Sequence, residues 1–191
     1  MQSLQEKIIN EGQVLSDTVL KVDSFLNHQI DPEFVMAMGR ELANRYANDK
    51  VTKVLTVEAS GIAIALATGL TLRTPVVFAK KKRSATQDPQ AYSTNIFSFT
   101  RQEAVDIYVN KRFINDRDRV LIVDDFLAQG EALRGMADIV EQAGAILVGV
   151  GIAIEKVFQG GGQALREKGI RIESLAPIAS LTGGRVTFTH I

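Results

Sequence analysis

The chain has 191 residues, and its 22 Lys and Arg balance 22 Asp and Glu, so no global basic field argues for a nucleic acid or an anionic membrane as partner. It has no Cys, which excludes disulfides and thiolate catalysis and suits a cytoplasmic setting. The length fits a single domain over 1–191, and no run of roughly 18 apolar residues or secretory pattern argues for a membrane span or a leader.

Residues 3–9 carry a helical spacing that Gly12 ends. Residues 13–30, QVLSDTVLKVDSFLNHQI, alternate loosely and are expected as short strands or an extended arm outside the main sheet. Asp31-Pro32-Glu33 predicts a helix start, with Asp as N-cap, Pro at the first helical position and Glu in the first turn. Phe34, Val35, Met38, Leu42 and Tyr46 then form a core-facing stripe.

Val51 to Val57 is the expected first strand of the main sheet. Glu58-Ala59-Ser60-Gly61 follows, then a helix from Ile62 to about Leu72, apolar all round and hence expected to be buried. A strand, a small-residue turn and a helix start form an anion-binding geometry, because the first helical N–H groups are unpaired. The competing reading is a plain turn. Ser60 is not marked as a nucleophile: no Gly stands two residues before it, and no motif marks His28 or His190 as its base.

Pro75 to Ala79 is a second strand, and Lys80-Lys81-Lys82-Arg83 follows its expected end. Cations there serve a polyanionic ligand, since open α/β sheets bind at the carboxyl ends of their strands; the alternative is a solvated face. Residues 84–94 are polar and are expected as a flexible loop, carried by an antiparallel pair at Asn95–Thr100 and Ala104–Val109.

The stretch RVLIVDDFLAQGEA, Arg119 to Ala132, is the most informative. Val120 to Val123 reads as a strand buried on both faces of a parallel sheet. Asp124 and Asp125 follow, then a loop with Gly130 and an amphipathic helix. The loop and helix start suit a phosphate; the paired carboxylates suit sugar hydroxyls, or a metal held by those hydroxyls. Ala145 to Ile154 is the next buried strand, with Glu155 and Lys156 at its end. A short helix over 159–168 and a strand over 170–178 follow, and the tail LTGGRVTFTHI has no clear pattern. The alternation from 51 to 154 predicts an α/β fold with a doubly wound, mostly parallel sheet. The core would span about 32–155, with 1–31 and 156–191 packed together as a small second lobe.

Four apolar residues, two acids and a small-residue loop resemble the motif that binds 5-phosphoribosyl 1-pyrophosphate (PRPP) in the type I phosphoribosyltransferases. Nearly the whole chain is similar to that family. The resemblance implies that Asp124 and Asp125 face the ribose hydroxyls. It assigns Ala128, Gln129, Gly130, Glu131 and Ala132 to the 5′-phosphate, Glu58, Ala59, Ser60 and Gly61 to the pyrophosphate, and Lys81 to PRPP. The common family loop has threonines and two glycines; Ala-Gln-Gly-Glu-Ala leaves backbone amides as the main donors and is similar to the purine branch that uses xanthine. The resemblance further implies Mg²⁺ bound through PRPP rather than by a protein cage, a mobile loop over PRPP, the second lobe as a hood over the base, and a homodimer.

For the base, Lys156 is a donor, which suits a 6-oxo purine and mismatches the 6-amino group of adenine. Its alternative is a surface Lys paired with Glu155. The arm VLKVDSFLNHQIDP is similar to that of the xanthine branch, where the positions matching Leu20 and Asn27 contact the base. Asn27 would donate to the 2-oxo group, and Leu20 would contribute backbone or packing. By its residues alone, Asn27 is a loop Asn. Phe158 is either a stacking or a core residue. A guanine- or hypoxanthine-preferring enzyme and a non-catalytic sensor of PRPP or nucleotide remain open. About 50 residues precede the first sheet strand, with no helix-turn-helix pattern or basic face that would suit a DNA-binding regulator.

Overall fold

The computed structural model describes residues 1–82, 90–98 and 103–189. Arg83 and residues 84–89 of the expected loop lie outside them.

Helix α1, Gln2–Glu11, leads into a hairpin of β1, Gln13–Ser16, and β2, Val19–Lys21, which forms its own two-stranded sheet as the loose alternation suggested. A single wide, π-helical turn, Asp23–Asn27, follows. Helix α2, Pro32–Arg45, starts as expected: the Asp31 carboxylate accepts from the Phe34 N–H at 3.1 Å. The remaining elements are β3, Lys53–Val57; α3, Ile62–Leu72; β4, Val76–Lys82; β5, Ala91–Ser98; β6, Glu103–Asn110; β7, Arg119–Leu127; α4, Glu131–Gln142; β8, Ile146–Lys156; α5, Gly161–Glu167; β9, Ile172–Ser180; and β10, Thr187–Phe188.

The main sheet runs β10-β9-β8-β7-β3-β4-β6-β5. The five strands from β9 to β4 are parallel, and β10, β6 and β5 join through antiparallel pairings. β7 lies in the middle and feeds both faces, as its unbroken apolar run requires. Leu121 and Val123 join the α1, α2 and α3 side; Val120 and Ile122 join the α4 and α5 side. The sheet is therefore doubly wound. The apolar cluster on the first side also takes in Leu20, Val22, Phe25 and Leu26 from the arm and Leu175, Ile178 and Leu181 from the C-terminal segment.

Four expectations need correction. α3 is not buried all round: Leu66 is 61% and Leu70 is 65% exposed. An all-apolar helix has no phase in its sequence, so its outer face cannot be read from periodicity. β4 does not stop at Ala79 but continues to Lys82, because β6 pairs with Lys80–Lys82. β5 starts at Ala91, inside the stretch expected as loop. The tail, which had no pattern, forms a turn at Thr182–Gly184 and then β10, whose Thr187 and Phe188 pair with Ser180 and Ile178.

Candidate active site

The site begins where β7 outruns β3. Their parallel pairing ends at Leu55 and Ile122, while β7 continues beside β8 to Leu127. The β3 chain turns away after Val57 into residues 58–61, which leaves Asp124 and Asp125 at a notch in the sheet. Both are buried, at 4% and 6% exposed. The Asp125 N–H donates to Asp124 Oδ1 at 3.0 Å. Burial first, and then the neighbouring Asp125 charge, hold the Asp124 carboxyl well above the usual carboxylate range; the Lys81 ammonium acts in the opposite sense.

Gly61 closes the notch from the α3 side. A Cβ there would lie 2.3 Å from Thr56 Oγ1 and 2.4 Å from Asp124 Oδ1, so only glycine lets the turn approach the acid. Thr56 is fully buried, and its hydroxyl has no hydrogen-bond partner among the described residues. The Glu58–Ala59 peptide bond is cis. Glu58 Oε1 accepts from the Lys81 N–H at 2.6 Å, which ties the 58–61 turn to β4.

The loop after β7 lies between two helices. Gly130, with φ +84°, caps the N-terminus of α4. Its next neighbours are Leu165 and Gly161 of α5 and Arg134 of α4. The Gly161 N–H donates to Ala128 O at 3.2 Å, and Arg134 donates to Gln129 O at 2.8 Å and pairs with Glu131. Lys81, Phe126 and residues 127–133 line a common cavity of about 200 Å³ with Ile96, Phe97 and Val105 of the β5–β6 pair.

Lys156 stands beside Phe126, with its Nζ 5.4 Å from the ring centre and donating to Thr18 O at 2.7 Å. Burial pushes its pKa below the ordinary lysine value. The expected alternative partner, Glu155, does not pair with it. Glu155 is 1% exposed and takes a two-pronged bond from Arg166 at 2.7 and 2.8 Å and another from Ser174 Oγ. Leu20 is buried in the apolar cluster two residues from Thr18. Asn27 ends the 23–27 turn and is exposed; its backbone N–H bonds back to Val22 O. Phe158 is 38% exposed, so it is not a core residue.

The structure thus gathers Asp124, Asp125, Glu58, Gly61, Lys81 and the 128–132 loop at the C-terminal ends of β3, β4 and β7, with Lys156 beside the Phe126 ring. It records no contact from Asn27 to this group. Sequence reasoning missed Thr56, Phe126, Arg134, Gly161 and the Glu155–Arg166 pair. Only the Gly-rich turn at 160–162 carried a signal, and it read as a helix start.

Comparison with known proteins gives the family. The phosphoribosyl transferase domain family matches residues 26–168. The xanthine phosphoribosyltransferase of Moorella thermoacetica is 60% identical over 98% of this chain and 95% of its own length. That of Heliobacterium modesticaldum is 58% identical over 98% of this chain and all of its own. Among solved structures, the adenine phosphoribosyltransferase of Rhodothermus marinus superposes with a TM-score of 0.73 at 21% identity, over 92% of this chain and 98% of that one, a likeness of fold. Matched by the family over most of its length and by these relatives over 98% of it, the chain belongs to the phosphoribosyltransferase family and to its xanthine phosphoribosyltransferase branch.

Proposed function

We propose that the protein transfers ribose 5-phosphate from PRPP to N9 of xanthine, giving xanthosine 5′-monophosphate (XMP) and pyrophosphate in purine salvage. The observation that carries this reading is the gathering of the acid pair, the 58–61 turn, Lys81 and the 128–132 loop around one notch, in a chain 60% identical to a xanthine phosphoribosyltransferase. The bond from ribose C1 to the pyrophosphate oxygen breaks as the C1–N9 bond forms, and the N9 proton leaves with xanthine's ionisation. Xanthine is acidic enough to attack as its anion, so no strong general base is needed.

Asp124 and Asp125 accept from the two ribose hydroxyls and fix the sugar. Ala128, Gln129, Gly130, Glu131 and Ala132 offer backbone N–H groups and the α4 N-terminus to the 5′-phosphate. Glu131 is held by Arg134, so its charge is offset beside the anion. Glu58, Ala59, Ser60 and Gly61 hold the pyrophosphate, and Lys81 offsets its charge. Positioning and charge stabilisation carry the rate.

Mg²⁺ fits as a substrate-borne ion. Two adjacent carboxylates are the oxygen donors it takes, but they cannot fill an octahedral shell, which leaves most positions to PRPP oxygens and water. When bound through PRPP, it supplies positive charge to the departing pyrophosphate. At the base, the Lys156 ammonium donates to the 6-oxo group while Phe126 flanks its stem. Leu20 packs under the arm, and Asn27 reaches the 2-oxo group once the arm closes. We assign 1–31 and 156–191 to a hood over the base, supported by the apolar cluster and the Lys156 bond that join them. PRPP and XMP are multiply charged and do not cross lipid unaided, which supports a cytoplasmic setting. We assign a homodimer from the exposed Leu66 and Leu70. Among the described residues no helix is long and apolar enough to cross a membrane.

The test is kcat/KM with PRPP, Mg²⁺ and each of xanthine, guanine, hypoxanthine and adenine, for wild type and Asn27→Ala. Hypoxanthine lacks the 2-oxo group and should fall below xanthine by about ten-fold, since an unpaired polar group costs about 1–3 kcal/mol. Asn27→Ala should close that gap by harming xanthine, and adenine should be inert. Preference for adenine would refute the base assignment. PRPP binding without turnover would favour a sensor.

A further inference from the structure

Glu155 is a carboxylate almost wholly removed from water, and nothing in the chemistry above uses it. A buried charge is costly unless well paired, and removing its partner leaves it uncompensated. Here the pairing is complete: Arg166 grips both oxygens, at 2.7 and 2.8 Å, and Ser174 Oγ bonds one of them. Arg166 belongs to α5, and α5 sits close against the 128–132 loop and the end of β8 through two glycines. A Cβ on Gly161 would lie 2.3 Å from Ala128 O and 2.4 Å from the Gln129 carbonyl carbon, in the loop assigned to the 5′-phosphate. A Cβ on Gly162 would lie 1.9 Å from Glu155 Oε1. Glu155 in turn directly precedes Lys156 at the end of β8, and its register partner on β7 is Leu127, which leads into the same loop.

We infer that Glu155 and Arg166 are positioning residues for the reaction: their ion pair locks α5 between the 128–132 loop and the end of β8, which carries Lys156, and so fixes the distance between the phosphate end and the base end of the site. This rests on the roles proposed above for Lys156 and the loop. The Gly161 N–H fastens α5 to the loop; the ion pair fastens it to the end of β8. A ligand that spans both ends senses the spacing, whereas a ligand that occupies only the phosphate end does not.

XMP spans both ends and ribose 5-phosphate only one, so calorimetric titration of each separates the cases. Glu155→Gln keeps the shape and removes the charge. It should weaken XMP about ten-fold and ribose 5-phosphate less than about two-fold, within the range of coupling between contacting groups. Arg166→Met should reproduce that loss and Arg166→Lys should recover only part of it, because a lysine keeps the charge but cannot grip both oxygens; should Arg166→Met not fold, Glu155→Gln carries the test. In a Lys156→Ala background, Glu155→Gln should change XMP affinity less than about two-fold, because the residue it positions is gone. Equal weakening of both ligands, no weakening of XMP, or a ten-fold effect that persists without Lys156 would each overturn the inference. Failure of the wild type to bind XMP at all would instead overturn the proposed function.

Discussion

Asp124 sits beside a second carboxylate with almost no access to water, and both facts disfavour its charged form. A carboxyl whose proton affinity is raised by folding stabilises the fold while neutral. That contribution is complete below the unfolded value of about 3.9 and is lost as pH rises through the higher folded value. Asp124→Asn removes the charge and keeps an acceptor for the Asp125 N–H. In thermal melts without ligand, the variant should match wild type near about pH 4 and exceed it increasingly toward about pH 8, while turnover collapses. A wild type that gains on the variant as pH rises would show that the charge is not a burden on the fold. Lys81→Ala tests the opposite sign. Only PRPP carries pyrophosphate, so its KM should rise by about ten-fold or more while XMP affinity moves less than about two-fold; equal losses would mean a general field effect. These residues were legible because each marks a change of local pattern, apolar run to acids or apolar run to cations. Thr56, Arg134 and Arg166 break no pattern. Arg166 reaches Glu155 across 11 positions by folding, a pairing that no local spacing encodes.

At the scale of elements, α4 does more than offer its N-terminus. Its outer face clasps β5: the Gln142 side chain bonds both the N–H and the carbonyl of Ser93, at 3.3 and 3.0 Å, and Thr94 Oγ1 donates to Asp138 at 2.9 Å. Gln142 thereby occupies part of the edge of the last strand in the sheet. Gly135 lets the pair approach, since a Cβ there would lie 2.4 Å from Ile96 Cγ2 and 3.1 Å from Ile107 Cδ1. Gly135→Ala should cost about 1–3 kcal/mol by overpacking, which outweighs the gain of up to about 1 kcal/mol in helix propensity. Denaturant melts read this directly, and a stabilised variant would mean that the hairpin yields freely. The α4 helix itself was plain from its stripe of Leu133, Met136, Ile139 and Val140, and the Asp31 cap fixed the start of α2. The length of β5 and the reach of β4 were not, because polar residues there pair backbone to backbone and leave no hydrophobic period to follow.

For the molecule as a whole, the doubly wound sheet follows from β7, whose apolar run can be satisfied only by a core on each face. What the run does not encode is which outer surfaces stay uncovered. Leu66 and Leu70, four residues apart, stand on one face of α3, and Phe78 and Phe113 are 41% and 42% exposed. Phe78 and Phe113 line a groove of about 390 Å³ with Val76, Tyr108 and Val109. Apolar surface of this kind, gathered on neighbouring elements, marks an interaction site more often than chance exposure. A second copy of the chain is the partner that we assign to it. Leu66→Glu with Leu70→Glu tests this assignment without threatening the fold, since both positions face water in the single chain and exposed substitutions cost at most about 0.5 kcal/mol. In an interface the same two carboxylates would be buried without partners. Light scattering should give wild type at twice the 20.9 kDa chain mass and the variant at 20.9 kDa, with the helical dichroism of both alike. A variant that still assembles would move the interface elsewhere, and a wild type that runs as a single chain at micromolar concentration would remove it.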